Sequence, residues 1–443
     1  MIGRDCQPGD YYRWVTTPIA QSGLDVAAVR DHFPSLARTI DGRPVAYLDG
    51  PGGTQVPREC TDAMVAYLER SNANHGGAFA TAMETEELLH EVHTVAADFL
   101  GAHEPQEVAF GPNMTTLTFS LSRAIGRELR EGDEIVVTRL DHDANVAPWL
   151  TVAEDRRATV RWLDIREEDC TLDLEALEGI VSEKTRVVAV GLASNAVGTV
   201  NDVGRVVELA HAYGALVFVD AVHAAPHLPI DVASLRVDLL ACSPYKFYGP
   251  HLGMLYGRRE LLERLRAYRV RPAGEALPGK WETGTQNHEA LAGLLGTFDY
   301  LASLGRAYGG ARRDDGRRAA LQAAMGTIRA YERLLIGPLL EGLASVPGLR
   351  IYGITDPGWF GDRVPTVAFT MRGLHPRRIA EHLALRSINA WDGNYYAIEL
   401  LNRLGLDDSG GTLRVGLVHY NTREEIERLV AALHELTGRS GIG

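Results

Sequence analysis

Lysine is almost missing from this chain. Among 443 residues it occurs only at Lys184, Lys246 and Lys280, and arginine supplies the other basic side chains. Any chemistry that needs a primary amine therefore has few candidates. Cysteine is sparse as well. Cys6, Cys60, Cys170 and Cys242 form no CxxC pair and have no histidines at zinc-ligand spacing, which argues against a metal site and against a disulfide framework. No apolar run approaches the ~18 residues of a membrane span, and the first residues lack a basic-then-apolar leader, so a soluble, cytoplasmic protein with no membrane partner is expected. A surplus of basic charge is lacking too. The formal net charge of −13 argues against nucleic acid as a partner, because phosphate backbones need a basic face.

What is present is an ordinary globular balance, 45% hydrophobic and 23% charged, over a length that suits two domains. Short β-branched runs stand at Glu107–Phe110, Asp133–Thr138, Thr159–Leu163, Arg186–Gly191, Leu216–Asp220, Leu239–Cys242 and Gly253–Tyr256. Helical patterns such as Leu172–Val181 and Val203–Tyr213 lie between several of them. This alternation predicts an α/β fold with a mostly parallel sheet covered by helices on both faces. In such sheets the ligand sits at the carboxyl ends of the strands, so the chemistry is expected just after each strand.

From about Leu291 the pattern changes. A long helix through Leu321–Leu343 follows the Gly/Arg/Asp stretch Gly309–Gly316. A strand at Thr366–Met371, a helix at Pro376–Leu385, a strand at Leu413–Leu417 and a final helix at Arg423–Leu436 complete a smaller α+β region. The expected division is a large domain over 31–290 and a small one made of 291–443 with 1–30 packed beside it.

Two strand ends carry the strongest chemical signal. The apolar run from Leu216 ends on Asp220, and the run Leu239–Cys242 is followed at once by Ser243, Pro244, Tyr245 and Lys246. Taken alone, a strand-ending Asp is commonly a turn or cap residue, and a lone lysine is commonly a solvated one. The pairing changes the weighing. An enzyme using pyridoxal 5′-phosphate (PLP) needs a lysine amine to hold the cofactor as a Schiff base and an acid to keep the pyridine nitrogen protonated.

The chain resembles the class V aminotransferase family of fold-type I PLP enzymes, in its cysteine desulfurase/selenocysteine lyase-like branch. The stretches that carry the resemblance run from Tyr47 to Thr54, Leu140 to Trp149, Ser194 to Thr199, Val219 to His223, Ser243 to Pro250, Trp281 to Asn287 and Arg414 to Asn421. Their order and spacing match over about residues 30–436. Each is weak alone and together they are specific. The resemblance implies a large domain with a seven-stranded sheet, PLP on Lys246, and Lys246 moving the substrate's α-proton. It implies that Asp220 pairs with the pyridine nitrogen, His142 stacks on the ring and Asn195 hydrogen-bonds the ring's phenolic oxygen, with His223 a further cofactor-binding residue. Asn113, Met114, Thr115, Ser243 and Tyr245 would hold the phosphate at a strand-to-helix turn. Thr285 would reach the phosphate of the neighbouring subunit, which implies a homodimer with shared sites. Arg414 would grip the α-carboxylate of a small amino-acid substrate.

Three departures from the desulfurase pattern narrow the activity. The loop Asn389–Ala397 has no cysteine where desulfurases carry their sulfur-accepting one, His223 stands where they typically have glutamine, and Tyr245 replaces a histidine. The loop Trp391–Tyr396, with Asn394 in it, is expected to shape the substrate pocket. The expected reaction is α-deprotonation followed by Cβ–S cleavage of the C–S lyase type. An aminotransferase or amino-acid epimerase is the alternative enzyme, and a non-catalytic PLP-binding scaffold the alternative of another class.

Overall fold

Seven strands form the larger sheet: β1 (Val108–Gly111), β2 (Glu134–Thr138), β3 (Thr159–Leu163), β4 (Thr185–Gly191), β5 (Leu216–Asp220), β6 (Leu239–Cys242) and β7 (Gly253–Gly257). Their lateral order is β1-β7-β6-β5-β4-β2-β3, and only β7 runs antiparallel to its neighbours. The computed structural model describes residues 23–437, so Cys6 and most of the expected N-terminal tail lie outside the described residues.

The central strands read as near-continuous apolar runs because both faces are covered. Alternate side chains serve different cores. Val136, Val188, Val190, Val217 and Val219 face one, while Ile135, Val137, Val187, Ala189 and Phe218 face the other. Helices α1 (Arg58–Arg70), α2 (Ala80–Leu100), α3 (Met114–Gly126), α4 (Val203–Ala212), α5 (His288–Tyr308) and α6 (Gly316–Ala344) supply much of the cover, with α5 packed on α1, α2 and α6.

A second, four-stranded antiparallel sheet is ordered β8-β9-β11-β10, from β8 (Leu349–Tyr352), β9 (Thr366–Met371), β10 (Trp391–Gly393) and β11 (Thr412–Gly416). Val367, Phe369, Leu413 and Val415 bury one face of it against Leu339 of α6, Ile379 and Leu383 of α7 (Pro376–Ala384), and Ile426 and Leu429 of α8 (Arg423–Thr437). Near the described start of the chain, Arg30 reaches Glu425 at 3.1 Å and the Tyr420 carbonyl at 2.6 Å.

The strands expected from the sequence stand within a residue or so of their positions, whereas β8 and β10 have no counterpart among them, and β10 occupies the start of the expected loop Trp391–Tyr396. β1 starts after Glu107 because that carboxylate closes a turn, accepting from the amides of His103 at 2.8 Å and Glu104 at 3.2 Å. Helix α6 starts at Gly316, five residues before the expected Leu321.

The two sheets meet closely. Gly198, with φ +79°, follows β4, and a Cβ there would lie 2.6 Å from the Thr366 carbonyl. The Gly198 carbonyl accepts from Val364 at 2.9 Å, and the Val200 amide donates to Asp362 at 2.9 Å. Only glycine permits this approach, which seats the second sheet against the carboxyl edge of the first. Among the described residues no helix is long and apolar enough to cross a membrane.

Candidate active site

Where the carboxyl ends of β1, β2, β4, β5 and β6 face the second sheet, they enclose a cavity of about 520 Å³. Lys246 enters it from a short turn, Pro244–Lys246, that follows β6. Its ammonium donates to the Pro51 carbonyl, and the Tyr245 ring lies beneath it with the centroid 4.8 Å away. Burial, then the Arg414 charge, pulls this amine down to about 7, while the charge of Asp220 acts in the opposite sense. A substantial neutral, nucleophilic fraction therefore exists near neutral pH.

Asp220 is the last residue of β5 and is buried. Its Oδ1 accepts from the Val222 amide at 2.8 Å. Burial pushes its carboxyl up to about 6, with that hydrogen bond and Lys246 holding it back.

His142 follows β2. Its Nδ1 accepts from the Ala144 amide at 3.0 Å, which leaves the proton of the neutral ring on Nε2. Burial, then Lys246 and Arg414, pulls it down to about 4, so the ring is neutral at physiological pH. Tyr396 stacks on it with centroids 5.3 Å apart and planes at 28°.

Asn113 caps α3 by accepting from the Thr116 amide at 2.8 Å, and the Met114 amide donates to Ser243 Oγ at 3.1 Å. Asn113, Met114, Thr115, Ser243 and Tyr245 all line the cavity. The first amides of this helix thus face an enclosed space, the arrangement that favours an anion.

Asn195 follows β4. Its Nδ2 donates to the Tyr395 carbonyl at 2.9 Å, and its buried Oδ1 has no partner. His223 is buried beside Thr366, with Nε2 and Oγ1 3.0 Å apart, and burial keeps the ring neutral. Arg414, in β11, is buried; one terminal nitrogen donates to the Asn195 carbonyl at 2.7 Å, and its Nε has no partner.

Two expected residues stand apart. Asn394 lines the cavity, but its amide already holds the loop together, accepting from the Tyr396 amide at 3.2 Å and donating to Asp407 at 3.1 Å. Thr285 is exposed and is not among the residues lining the cavity of its own chain.

The structure also adds residues that the sequence reading passed over. Asp141 forms part of the cavity floor, accepting from the Gly191 amide at 3.0 Å and from Asn145 at 2.7 Å. Burial, then the neighbouring Asp220, pushes it up to about 7. Pro51 and Gly52 come from the matched stretch Tyr47–Thr54, so position within a quoted motif was the available signal. Cys60, Cys170 and Cys242 are buried, and none of them lines the cavity.

The set fits PLP. A partly neutral lysine amine, a buried carboxylate, an enclosed helix N-terminus and two buried polar atoms without partners, Asn195 Oδ1 and Arg414 Nε, are groups that an anionic ring cofactor and a carboxylate substrate would satisfy.

Comparisons with known proteins agree with this geometry. The family model described as aminotransferase class-V matches residues 46–429. A probable cysteine desulfurase of Synechocystis sp. is 33% identical over 423 residues, covering 92% of this chain and 94% of the relative. The apo structure of a cysteine desulfurase from Thermococcus onnurineus superposes with a TM-score of 0.80 at 25% identity, over 93% of this chain and 98% of that one. A cysteine desulfurase structure from Escherichia coli gives 0.78 at 28% identity, over 94% and 99%.

Proposed function

The chain belongs to the aminotransferase class-V family, and we propose that it is a C–S lyase: a PLP enzyme that breaks the Cβ–S bond of a small amino acid. PLP is its cofactor, and its substrate class is a small amino acid. The observation that carries the reading is the presence of two cations, Lys246 and Arg414, in one cavity. Lys246, Arg414 and Asp220 all line it, the Arg414 charge depresses the lysine while that of Asp220 offsets it, and Arg414 has no carboxylate in ion-pair distance among the described residues. An amine to hold an aldehyde and a guanidinium free for a carboxylate are what an amino-acid enzyme of this family needs.

When bound, the cofactor supplies an electron sink for the negative charge left at the substrate α-carbon. The chain does the rest. Asn113, Met114, Thr115, Ser243 and Tyr245 would hold the phosphate, and Asp220 would pair as an anion with the pyridine nitrogen. His142 would stack on the ring, and Asn195 and His223 would contact it as well. Arg414 orients the amino acid by its carboxylate. Lys246 accepts the α-proton, and the sulfur departs with the Cβ–S electron pair. An amino acid bearing RS– at Cβ and one water then give RSH, pyruvate and ammonia.

No cysteine stands on the loop Asn389–Ala397, and the described cysteines are buried and do not line the cavity, which favours release of sulfur over its capture as a persulfide. Thr285, exposed on its own chain, would serve the site of a second subunit in a homodimer. Unpaired Cys60, Cys170 and Cys242 support a reduced, cytoplasmic setting.

The test is product analysis with L-cysteine and its S-conjugates, without keto acid. Pyruvate in equal amount to released thiol or sulfide is expected. Alanine with protein-bound persulfide would mean desulfuration instead, and turnover only after keto acid is added would mean transamination.

A further inference from the structure

Tyr395 touches both Arg414 and Asn195. Its ring lies against the guanidinium, with the Arg414 Cζ 4.1 Å from the ring centroid. Its carbonyl accepts the Asn195 side-chain amide at 2.9 Å, and the Asn195 carbonyl accepts from Arg414 at 2.7 Å. Three residues from three separate segments thus close a triangle. The Tyr395 hydroxyl fastens the triangle to the second sheet by donating to the Thr412 carbonyl. The same oxygen lies 3.2 Å from the Trp391 carbonyl and accepts from Thr412 Oγ1 at 3.2 Å.

The backbone is held under strain to make this arrangement. Tyr395 and Tyr396 have φ of +55° and +58°, two consecutive non-glycine residues in the left-handed region. Such conformations persist only where surroundings over-determine them, and they concentrate at ligand sites. The surroundings here are identifiable. The Tyr396 carbonyl accepts from the Asp143 amide at 2.7 Å, beside His142, and Gly411, at φ +79°, packs so close to the Gly393 carbonyl that no Cβ fits.

We propose that Tyr395 is a positioning residue, which clamps one face of the Arg414 guanidinium so that its unpartnered edge meets the substrate carboxylate. By holding Asn195 as well, it joins the carboxylate grip and the cofactor-ring contact into one rigid unit. A ring against one face restricts the guanidinium plane without using a hydrogen-bond donor; one terminal nitrogen is engaged by the Asn195 carbonyl, and the unpartnered Nε edge is left for a two-pronged contact. The inference rests on the reading of Arg414 as the carboxylate anchor.

The experiment measures alanine binding, an amino acid without a leaving group at Cβ, to the PLP-loaded enzyme through the change in cofactor absorbance. Tyr395→Leu is expected to weaken alanine binding by about tenfold, equivalent to about 1.4 kcal/mol. It should also shift the cofactor's resting absorbance maximum, because the ring and hydroxyl that hold this loop, and with it the main-chain carbonyl to which Asn195 donates, are gone. Tyr395→Phe keeps the ring and should recover most of the affinity. In an Arg414→Ala background, Tyr395→Leu should add less than about twofold, since a clamp has nothing left to hold. An affinity in Tyr395→Leu within about twofold of the parent, or an equal loss in the Arg414→Ala background, overturns the inference. If Arg414→Ala itself binds alanine as the parent does, the carboxylate-anchor reading fails first, and the two failures are thereby distinguished.

Discussion

The backbone amide of Met114 donates to the hydroxyl of Ser243 at 3.1 Å, tying the first turn of α3 to the segment that carries Lys246. Residues 129 positions apart in sequence thereby share one anion-binding corner. The bond fixes the helix start relative to the lysine without any charge, and a phosphate would meet both groups together.

Removing that hydroxyl should loosen the corner. Ser243→Ala is expected to raise the dissociation constant for PLP by roughly tenfold, because it removes one donor to the phosphate and one anchor of the helix start. Titration of cofactor-free enzyme with PLP, followed by absorbance, measures it. A constant within about twofold of the parent would take Ser243 out of the phosphate site.

Lys246→Ala should abolish the absorbance band of lysine-linked cofactor and reduce turnover by at least about 10³-fold, the scale of losing a covalent and proton-transfer group together. Lys184 and Lys280 do not line the cavity and cannot substitute. A variant that keeps both band and turnover would sink the assignment of Lys246.

A stability measurement on cofactor-free enzyme tests the electrostatics independently of activity. The Lys246 amine is held at about 7, well below its ordinary 10.5. Between those values the unfolded chain binds the proton and the folded one does not, so this group makes stability rise with pH across that window. Below about pH 7 the folded state carries a protonated, poorly solvated amine, and the full penalty applies. Lys246→Met should therefore raise Tm by a few degrees more at pH 6.5 than at pH 9.5. An equal gain at both pH values would show that the amine is not depressed.

The legibility of this molecule from its sequence follows the physics of each part. The central strands of the larger sheet were legible because burial on both faces demands unbroken apolar, β-branched runs, as in Leu216–Asp220. Helix α1 was not, since only Cys60 and Tyr67 of its thirteen residues are buried and its apolar face is correspondingly faint. Strand-end position made Asp220 and Lys246 legible. Asp141 was not, because its raised pKa comes from burial and then from Asp220 on a neighbouring strand, neither of which a local pattern reports. Tyr395 escaped for the same reason. Its importance lies in contacts with Asn195 and Arg414, 200 residues back and on another strand.

The last prediction concerns subunit sharing. Thr285 is exposed and does not line the cavity of its own chain. If it completes the site of a partner, each active site combines Lys246 from one chain with Thr285 from the other. Lys246→Ala dimers should then be inactive, and Thr285→Ala dimers should bind PLP more weakly. A hybrid of one chain of each kind is decisive. One of its sites lacks the lysine, but the other pairs an intact Lys246 with an intact Thr285. Mixing the two variants under conditions that exchange subunits should therefore restore activity at PLP concentrations too low for Thr285→Ala alone, up to about half the parent value per hybrid. If Thr285 acted within its own chain, the only site with a lysine would still lack its threonine, and mixing would restore nothing.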